Sequence, residues 1–258
     1  MNRITLHQST VYPMDPVRQV EIAEGAGIES IGLRVAAVDD DQEWWAKGLG
    51  SAMLRELIEA LLRSRRTVLD IGRVELGPDL HVVDARHAYV RALEIGVRLG
   101  AQYVTARAGA GDPGELFAVL AGLARSYQLR PLLAAVPGTS VDTVARAAEI
   151  VADTGGGVIL DVDPHADDET AAALADTVAD LGSLLGYVRV PARALEAAPP
   201  RPGLLATLPP QVAVAIGAAP TDSPTAAGPV DTDHVARVTA LRTAVDTMLR
   251  HPQAEAIR

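Results

Sequence analysis

Short apolar runs alternate with longer amphipathic segments along the chain. Eight runs rich in Val, Ile and Leu predict strands. They cover residues 4–7, 30–35, 67–74, 103–107, 131–136, 157–161, 186–190 and 212–216. Several are apolar at consecutive positions, which is typical of parallel strands covered on both faces. Apolar stripes at helical spacing predict helices over residues 15–26, 51–63, 85–99, 113–127, 141–153, 169–185 and 234–249.

The alternation of strand and helix predicts an α/β protein, a single (β/α)8 TIM barrel over residues 1–250 with a C-terminal tail at 251–258. A doubly wound open sheet is the alternative architecture. No GxGxxG motif follows the first strand, so the sequence does not indicate a dinucleotide site. Two segments rich in Pro, Ala and Thr, 197–210 and 218–229, are interpreted as loops around the eighth strand.

The composition excludes several kinds of chemistry. The 258 residues include no cysteine, which excludes disulfides, thiolate catalysis and iron–sulfur clusters. The single lysine, Lys47, argues against a Schiff-base mechanism. A net charge of −10 argues against nucleic acid as a partner, and no apolar run is long enough to cross a bilayer. The first residues lack the pattern of a signal peptide, so we expect a cytoplasmic protein with no membrane partner.

Several blocks of the sequence, in order along the chain, resemble one enzyme family. ITLHQST, ARHAYVRALEIGVRLGAQYVTARAGAG, PLLAAVPGTSVDTVARAAEIVADTGGGVILDVDPH, LGYVRVPARA and GLLATLPPQVAVAIG are similar to blocks of the sugar phosphate isomerase/epimerase family. These proteins are xylose-isomerase-like TIM barrels, and the first block is similar to a bacterial branch of them. The resemblance extends over residues 1–217 and implies the same fold. It also implies an isomerase and, because barrels of this group often pair, allows a homodimer.

The resemblance further implies a divalent metal at the barrel mouth, held by residues at the ends of strands 5 to 8. The matching positions in this chain hold Ala134, Asp161, Arg189 and Ala215, so only the aspartate is kept. A hard cation needs several oxygen or imidazole ligands, and an arginine would repel it. We therefore expect no metal and no other cofactor, and we expect Arg189 to pair with Asp161 in the space of the lost ion.

Side chains at the strand ends of a TIM barrel meet at its C-terminal mouth, where they form the candidate site. We predict that His7, Asp161 and Arg189 are catalytic, with His7 or Asp161 moving a proton and Arg189 polarising an oxygen. Substrate contacts are predicted for Arg34, Arg73, Glu75, Arg107, His165, Trp44 and Trp45. Clustered arginines indicate a small anionic ligand. The alternative is that the arginines pair with neighbouring acidic residues and only close the barrel end.

Some of these residues have a second interpretation. His7 could bond to the carbonyl of a neighbouring strand, and His165 could be a solvated residue of an acidic loop. Trp44 and Trp45 could form a lid over the mouth, or they could pack against helices or a second subunit.

Three functions follow from these residues. The first is a metal-independent isomerase, epimerase or lyase that acts on a small anionic, sugar- or keto-acid-like substrate. The second is an inactive relative that binds a ligand or stabilises a partner. The third is a metal enzyme whose site is rebuilt from Glu75, Asp161, Asp163 and His165.

Overall fold

The computed structural model describes residues 4–35, 50–218 and 233–250. Eight parallel strands form a closed barrel in chain order, with β1 pairing to both β2 and β8. The strands are β1 Ile4–His7, β2 Ser30–Arg34, β3 Thr67–Leu76, β4 Tyr103–Ala108, β5 Arg130–Ala134, β6 Gly157–Asp161, β7 Leu185–Pro191 and β8 Ala213–Gly217. This confirms the single (β/α)8 TIM barrel, and closure leaves no strand edge unpaired.

Helices cover the outside of the barrel. They are α1 Gln8–Val11, α2 Pro16–Gly25, α3 Ala52–Ser64, α4 His87–Leu99, α5 Pro113–Ser126, α6 Val144–Val151, α7 Asp168–Leu181, α8 Ala192–Ala197 and α9 His234–Leu249. Two short 3-10 turns lie at Pro78–His81 and Gly182–Leu184. In the described segments, no helix is long and apolar enough to cross a membrane.

Local chemistry explains where the helix ends differ from the sequence prediction. The helix predicted to begin at residue 141 begins at Val144, because the Thr143 hydroxyl accepts a hydrogen bond from the Arg146 N–H and caps the helix there. The helix predicted to end at residue 185 ends at Leu181, because Gly182 adopts a positive φ of 48°. The short helices α1 and α8 and both 3-10 turns were not predicted, since hydrophobic periodicity cannot reveal elements of one or two turns.

Strand β3 is longer than predicted, and its extra residues lie at the mouth. It continues to Leu76 because Glu75 and Leu76 pair with Arg107 and Ala108 of β4. The loop predicted at 197–210 has only turns and irregular backbone from residue 198 onward, and residue 212, predicted as the start of a strand, also lies outside β8. Of the second predicted loop, 218–229, only the first residue is described, and the tail at 251–258 lies outside the described residues.

Two layers of apolar side chains hold the barrel. The larger layer fills the space between the strands and the helices and includes Leu6, Ile31, Ile71 and Phe117. A smaller layer, inside the barrel, consists of Leu69, Leu132, Ala134, Ile159, Tyr187, Ala213 and Ala215. The side chain of Ala134 is short, so the barrel interior has open space at the C-terminal end, where the candidate site lies.

Candidate functional site

A histidine and a buried aspartate meet across a glycine at the C-terminal mouth of the barrel. In the strand register, His7 of β1 lies beside Gly32 of β2, and Gly32 lies beside Asp70 of β3. Gly32 has no side chain, so the Nε2 atom of His7 approaches the Oδ2 atom of Asp70 to 3.4 Å. A Cβ atom on Gly32 would lie 2.3 Å from Asp70 Oδ1 and 2.5 Å from His7 Cδ2. The glycine is therefore what allows this contact.

An irregularity in β3 accompanies the inward position of Asp70. Ile31 lies opposite Val68, but the next residue of β2, Gly32, lies opposite Asp70, so β3 carries Leu69 as an extra residue. Bulges of this kind re-aim side chains and are common beside active sites. Asp70 is fully buried as a result.

Asp70 has an unusual environment for a carboxyl group. The Tyr187 hydroxyl donates a hydrogen bond of 3.2 Å to Oδ2, and His7 approaches the same oxygen. Its other oxygen, Oδ1, has no hydrogen-bond partner among the described residues. Burial, and then the neighbouring Asp70 charge, raise the pKa of Tyr187 well above its ordinary value, so the phenol remains a donor. Burying a carboxyl group without full hydrogen bonding costs free energy. Such incompletely bonded carboxyl groups are more common at functional sites than in a barrel core.

The second ring nitrogen of His7 faces a serine. Nδ1 lies 3.2 Å from the Ser9 hydroxyl, two residues further along the chain. The same hydroxyl accepts a hydrogen bond of 2.9 Å from the N–H of Ala218, which follows β8. One consistent assignment has Nε2–H donating to Asp70 and Nδ1 accepting from Ser9. Asp70, His7 and Ser9 thus form a continuous hydrogen-bonded chain that runs from the barrel core to the mouth.

Arg189 and Asp161 form a two-point ion pair between neighbouring strands. They are register partners on β6 and β7. Nε of Arg189 lies 2.5 Å from Oδ1 of Asp161, and Nη2 lies 2.8 Å from Oδ2. The Arg189 side chain is buried, whereas that of Asp161 keeps 24% of its exposure. Burial alone would lower the pKa of Arg189, but the Asp161 carboxylate more than compensates and raises it, so this guanidinium stays charged.

Arg73 carries a positive charge for which the described residues provide no hydrogen-bond or ion-pair partner. It is partly buried on β3. Burial first, and then the charges of Arg107, Arg34 and Arg189, lower its pKa from 12.5 to about 10, while Glu75 acts in the opposite direction. Arg73 is therefore protonated at neutral pH but pays an electrostatic cost that an anion would relieve.

These groups surround one pocket at the barrel mouth. Its cavity volume is about 40 Å³. Its polar wall is formed by His7, Ser9, Arg34, Arg73, Thr105, Tyr187 and Arg189. Ala134 and Ile159 contribute the apolar part of the wall. Three guanidinium groups in one pocket suit a carboxylate or a phosphate, which accept paired N–H donors.

The structure brings together only some of the residues predicted from the sequence. His7, Arg34, Arg73 and Arg189 line the pocket. Asp161 lies behind Arg189, and both of its oxygens already accept hydrogen bonds from that guanidinium. The expected pair is thus present and fixes Arg189, while a role for Asp161 in moving a proton stays a prediction.

Other predicted substrate contacts lie away from the pocket wall. Glu75 and Arg107 pair with each other at the extended ends of β3 and β4, and both side chains are substantially exposed. The ring of His165 is exposed, and its Nε2 atom lies 2.9 Å from the carbonyl oxygen of Ala194. Trp44 and Trp45 lie outside the described residues.

Sequence reasoning missed Asp70, Ser9, Tyr187 and Thr105. One signal for Asp70 was available, because an aspartate inside the apolar run TVLDIGRV is unusual for a strand buried on both faces. Ser9 carried no signal of its own, because its importance comes from the helical turn that directly follows β1.

The residues present do not fit a divalent metal. Among the described residues, no group of three or more His, Asp or Glu side chains is arranged to hold an ion. Asp161 forms an ion pair with Arg189, and Glu75 forms one with Arg107. His165 forms a hydrogen bond with a backbone carbonyl oxygen. These side chains therefore do not assemble the rebuilt metal site considered from the sequence. The guanidinium groups of the pocket would repel a cation.

Comparison with known proteins supports the fold. A xylose isomerase domain protein from Alicyclobacillus acidocaldarius is 14% identical, with a TM-score of 0.65 over 96% of this chain and 98% of its own. The IolI protein, whose crystal structure contains a zinc atom, is 16% identical, with a TM-score of 0.65 over 95% and 98% of the two chains. A D-allulose 3-epimerase from Methylomonas sp. is 12% identical, with a TM-score of 0.64 over 95% and 98%.

The chain has a xylose isomerase-like TIM-barrel fold. The similarity extends over nearly the whole length of each of these proteins, so the resemblance stated from the sequence is confirmed at the level of the fold. By sequence, the chain matches no protein-family model and no curated protein. A xylose isomerase-like barrel supports different reactions, so function has to be argued from the site of this chain.

Proposed function

We propose that this xylose isomerase-like barrel is a metal-independent isomerase or epimerase, or a lyase with the same first step, acting on a small anionic, sugar- or keto-acid-like substrate. The observation that carries the proposal is the Arg73 guanidinium, which faces the pocket without a hydrogen-bonded partner among the described residues. A bound carboxylate or phosphate would supply that partner.

The charge of the pocket favours an anion. The Arg189 charge is already matched by Asp161, whereas the Arg73 charge is raised in energy by Arg34 and Arg189 beside it. The protein as a whole carries a net charge of −10, so the positive field is a local property of the pocket. A local field of this kind attracts and orients a small anion.

His7 is the group that moves the proton. It takes a proton from a substrate carbon next to a carbonyl once the substrate has replaced its contact with Ser9 at Nδ1. The electron pair passes to the carbonyl oxygen, and the buried Arg189 guanidinium stabilises the oxyanion. Asp70 stabilises the imidazolium that forms, because it lies against Nε2. Return of the proton to a neighbouring atom or to the other face of the same carbon completes an isomerisation or an epimerisation.

A ligand-binding role without catalysis is the second candidate. The observation that favours it is the Arg189–Asp161 pair. Both oxygens of the Asp161 carboxylate, which the resemblance would assign to catalysis, accept hydrogen bonds from Arg189. In such a protein the pocket would bind the same small anion, as a sensor or as a partner of an active relative.

Hydrogen exchange with solvent separates these two functions. The protein is incubated in D2O with a panel of small hydroxy acids, keto acids and sugar phosphates, and deuterium incorporation at carbon is followed by NMR. We expect exchange next to a carbonyl in at least one compound, and we expect it to be lost in His7→Asn. Binding of a compound in calorimetry with no exchange in any of them would contradict catalysis and support the ligand-binding role.

Association with a second copy stays a prediction. Barrels with this fold often pair, and sedimentation velocity of the purified chain measures it directly.

A further inference from the structure

The Ser9 hydroxyl occupies a position that the proton-transfer mechanism does not use. It lines the same pocket as His7 and Arg73 and is partly exposed. Its oxygen accepts from the Ala218 N–H at 2.9 Å, which directs its own hydrogen toward the His7 Nδ1 atom, 3.2 Å away. Nε2 of the same ring is backed by the buried Asp70 at 3.4 Å. A hydroxyl, an imidazole and a buried carboxylate therefore follow one another in hydrogen-bonding order.

We propose that Ser9 is a nucleophile activated by His7 and Asp70, and that the pocket hydrolyses esters or lactones of small anionic acids. This inference relies on the proposed function only for the anion-binding pocket. The general requirement for an activated serine is a base within hydrogen-bond reach, oriented by a third group. The roles of the two ring nitrogens are reversed relative to the best-known serine hydrolases, and the arrangement is recognised by its roles rather than by sequence order.

The reaction balances with water as the only co-reactant. The Ser9 oxygen attacks the ester carbonyl carbon while its proton passes to Nδ1 of His7. The carbonyl electron pair moves to the oxygen, where the Arg73 guanidinium stabilises the charge. Collapse breaks the bond to the alcohol oxygen, which leaves with the proton from His7. Water then attacks the acyl group, gives one proton to His7, and releases Ser9, which regains its hydrogen.

Asp70 is a positioning residue in this scheme. As a hydrogen-bond acceptor at Nε2, it holds the proton on that nitrogen and leaves Nδ1 free to accept from Ser9. It also stabilises the imidazolium while the proton resides on the ring. The oxygen of Asp70 that faces His7 also accepts a hydrogen bond from the Tyr187 hydroxyl, which fixes the orientation of the carboxyl group.

Two features of the pocket define the substrate class. The cluster formed by Arg34, Arg73 and Arg189 would bind a carboxylate or phosphate on the substrate, which places the ester group near Ser9. The cavity volume of about 40 Å³ fits a small polar compound and is too small for a lipid or a peptide. An ester or a lactone of a short acidic compound satisfies both conditions.

Covalent labelling tests the nucleophile directly. The protein is incubated with diisopropyl fluorophosphate, a neutral reagent that phosphorylates activated serines, and the modified residue is located by peptide mass spectrometry. We expect a single label on Ser9 in the wild type and labelling at least about 100-fold slower in His7→Asn, because the base is lost. Ser126→Ala, which removes an exposed serine from α5, is the matched control and should label like the wild type.

Hydrolysis of two 4-nitrophenyl esters completes the test. We expect mono-4-nitrophenyl succinate, which carries a carboxylate, to be cleaved faster than 4-nitrophenyl acetate, and both activities to be lost in Ser9→Ala. Arg73→Met should lose the preference for the charged ester, because the substrate carboxylate loses a cationic partner, and should slow the hydrolysis of both esters, because the oxyanion loses its donor. If Ser9 in the wild type is not labelled, or if Ser9→Ala hydrolyses the esters at the wild-type rate, Ser9 is not the nucleophile. Neither result would contradict the proposal that the pocket binds an anion.

Discussion

The guanidinium of Arg189 and the carboxylate of Asp161 are joined by two hydrogen bonds, of 2.5 and 2.8 Å, between adjacent strands of the barrel. The arginine is buried and the aspartate is partly buried. Because water solvates neither charge fully, each residue stabilises the charge of the other. The pair fixes the position of Arg189 in the pocket wall.

Removing the arginine of this pair should destabilise the protein. In Arg189→Met the Asp161 carboxylate loses both hydrogen bonds, and we expect a loss of about 1–3 kcal/mol in urea unfolding. The double variant with Asp161→Leu should lose less, since no unpaired charge remains. Arg146→Met, which breaks the exposed pair with Glu149, is the control and should cost at most about 1 kcal/mol. Wild-type stability in Arg189→Met would show that the pair does not stabilise the fold.

Removing Arg73 should have the opposite effect in the absence of ligand. The pKa of Arg73 is lowered because burial and neighbouring arginines disfavour its charge. We therefore expect Arg73→Met to raise the midpoint of thermal unfolding slightly; we also expect phosphate to stabilise the wild type but not this variant. Arg107→Met is the matched control, since Arg107 pairs with Glu75 outside the pocket wall. Equal stabilisation by phosphate in the wild type and Arg73→Met would place the anion elsewhere.

Binding of an anion should take up protons at high pH only. The folded-state pKa of Arg73 is about 10, against an unperturbed 12.5, so its charge is destabilising below pH 10 and this penalty fades as the pH rises through that value. A bound anion raises the pKa again. Calorimetry with sulfate, which is fully ionised at both pH values, in buffers of different ionisation enthalpy should therefore show proton uptake near pH 10 and none at pH 7. Uptake that persists in Arg73→Met would assign it to another group.

Gly32 should be intolerant of a side chain. A methyl group there would overlap Asp70 Oδ1 and His7 Cδ2, so Gly32→Ala must push the two residues apart. We expect a loss of about 1–3 kcal/mol in stability. We also expect Ser9 to react more slowly with diisopropyl fluorophosphate under conditions where the variant is still folded. Gly122→Ala is the control, because a Cβ on this exposed glycine of α5 meets no atom within 4 Å. Unchanged labelling in Gly32→Ala would mean that the Asp70 contact does not matter to His7.

The fold could be predicted from the sequence because each strand and each long helix carries its own pattern. Short apolar runs alternate with amphipathic segments, and the helix starts are marked by capping residues such as Asp15 and Asp112. The elements that were missed, α1 and α8, have four and six residues and present no periodicity.

The candidate site was predicted in part, for a physical reason. His7, Arg34, Arg73 and Arg189 lie at or near strand ends, where the fold itself directs side chains into the mouth. Asp70 lies in the middle of β3, and its inward position depends on the irregular pairing with β2, which no sequence pattern announces.

Glu75 and Arg107 lie further from the pocket than expected, because β3 and β4 continue past the predicted strand ends. Their side chains therefore meet each other at the rim and do not line the pocket.

The central claim is that the mouth of this barrel is built for an anion and not for a divalent cation. Elemental analysis by plasma mass spectrometry, after dialysis against zinc, manganese and magnesium and then against metal-free buffer, tests it most directly. We predict that no metal remains in a stoichiometric amount, because the Asp161 carboxylate is already paired with the Arg189 guanidinium. A stoichiometric ion that is lost in Asp161→Asn would contradict the account.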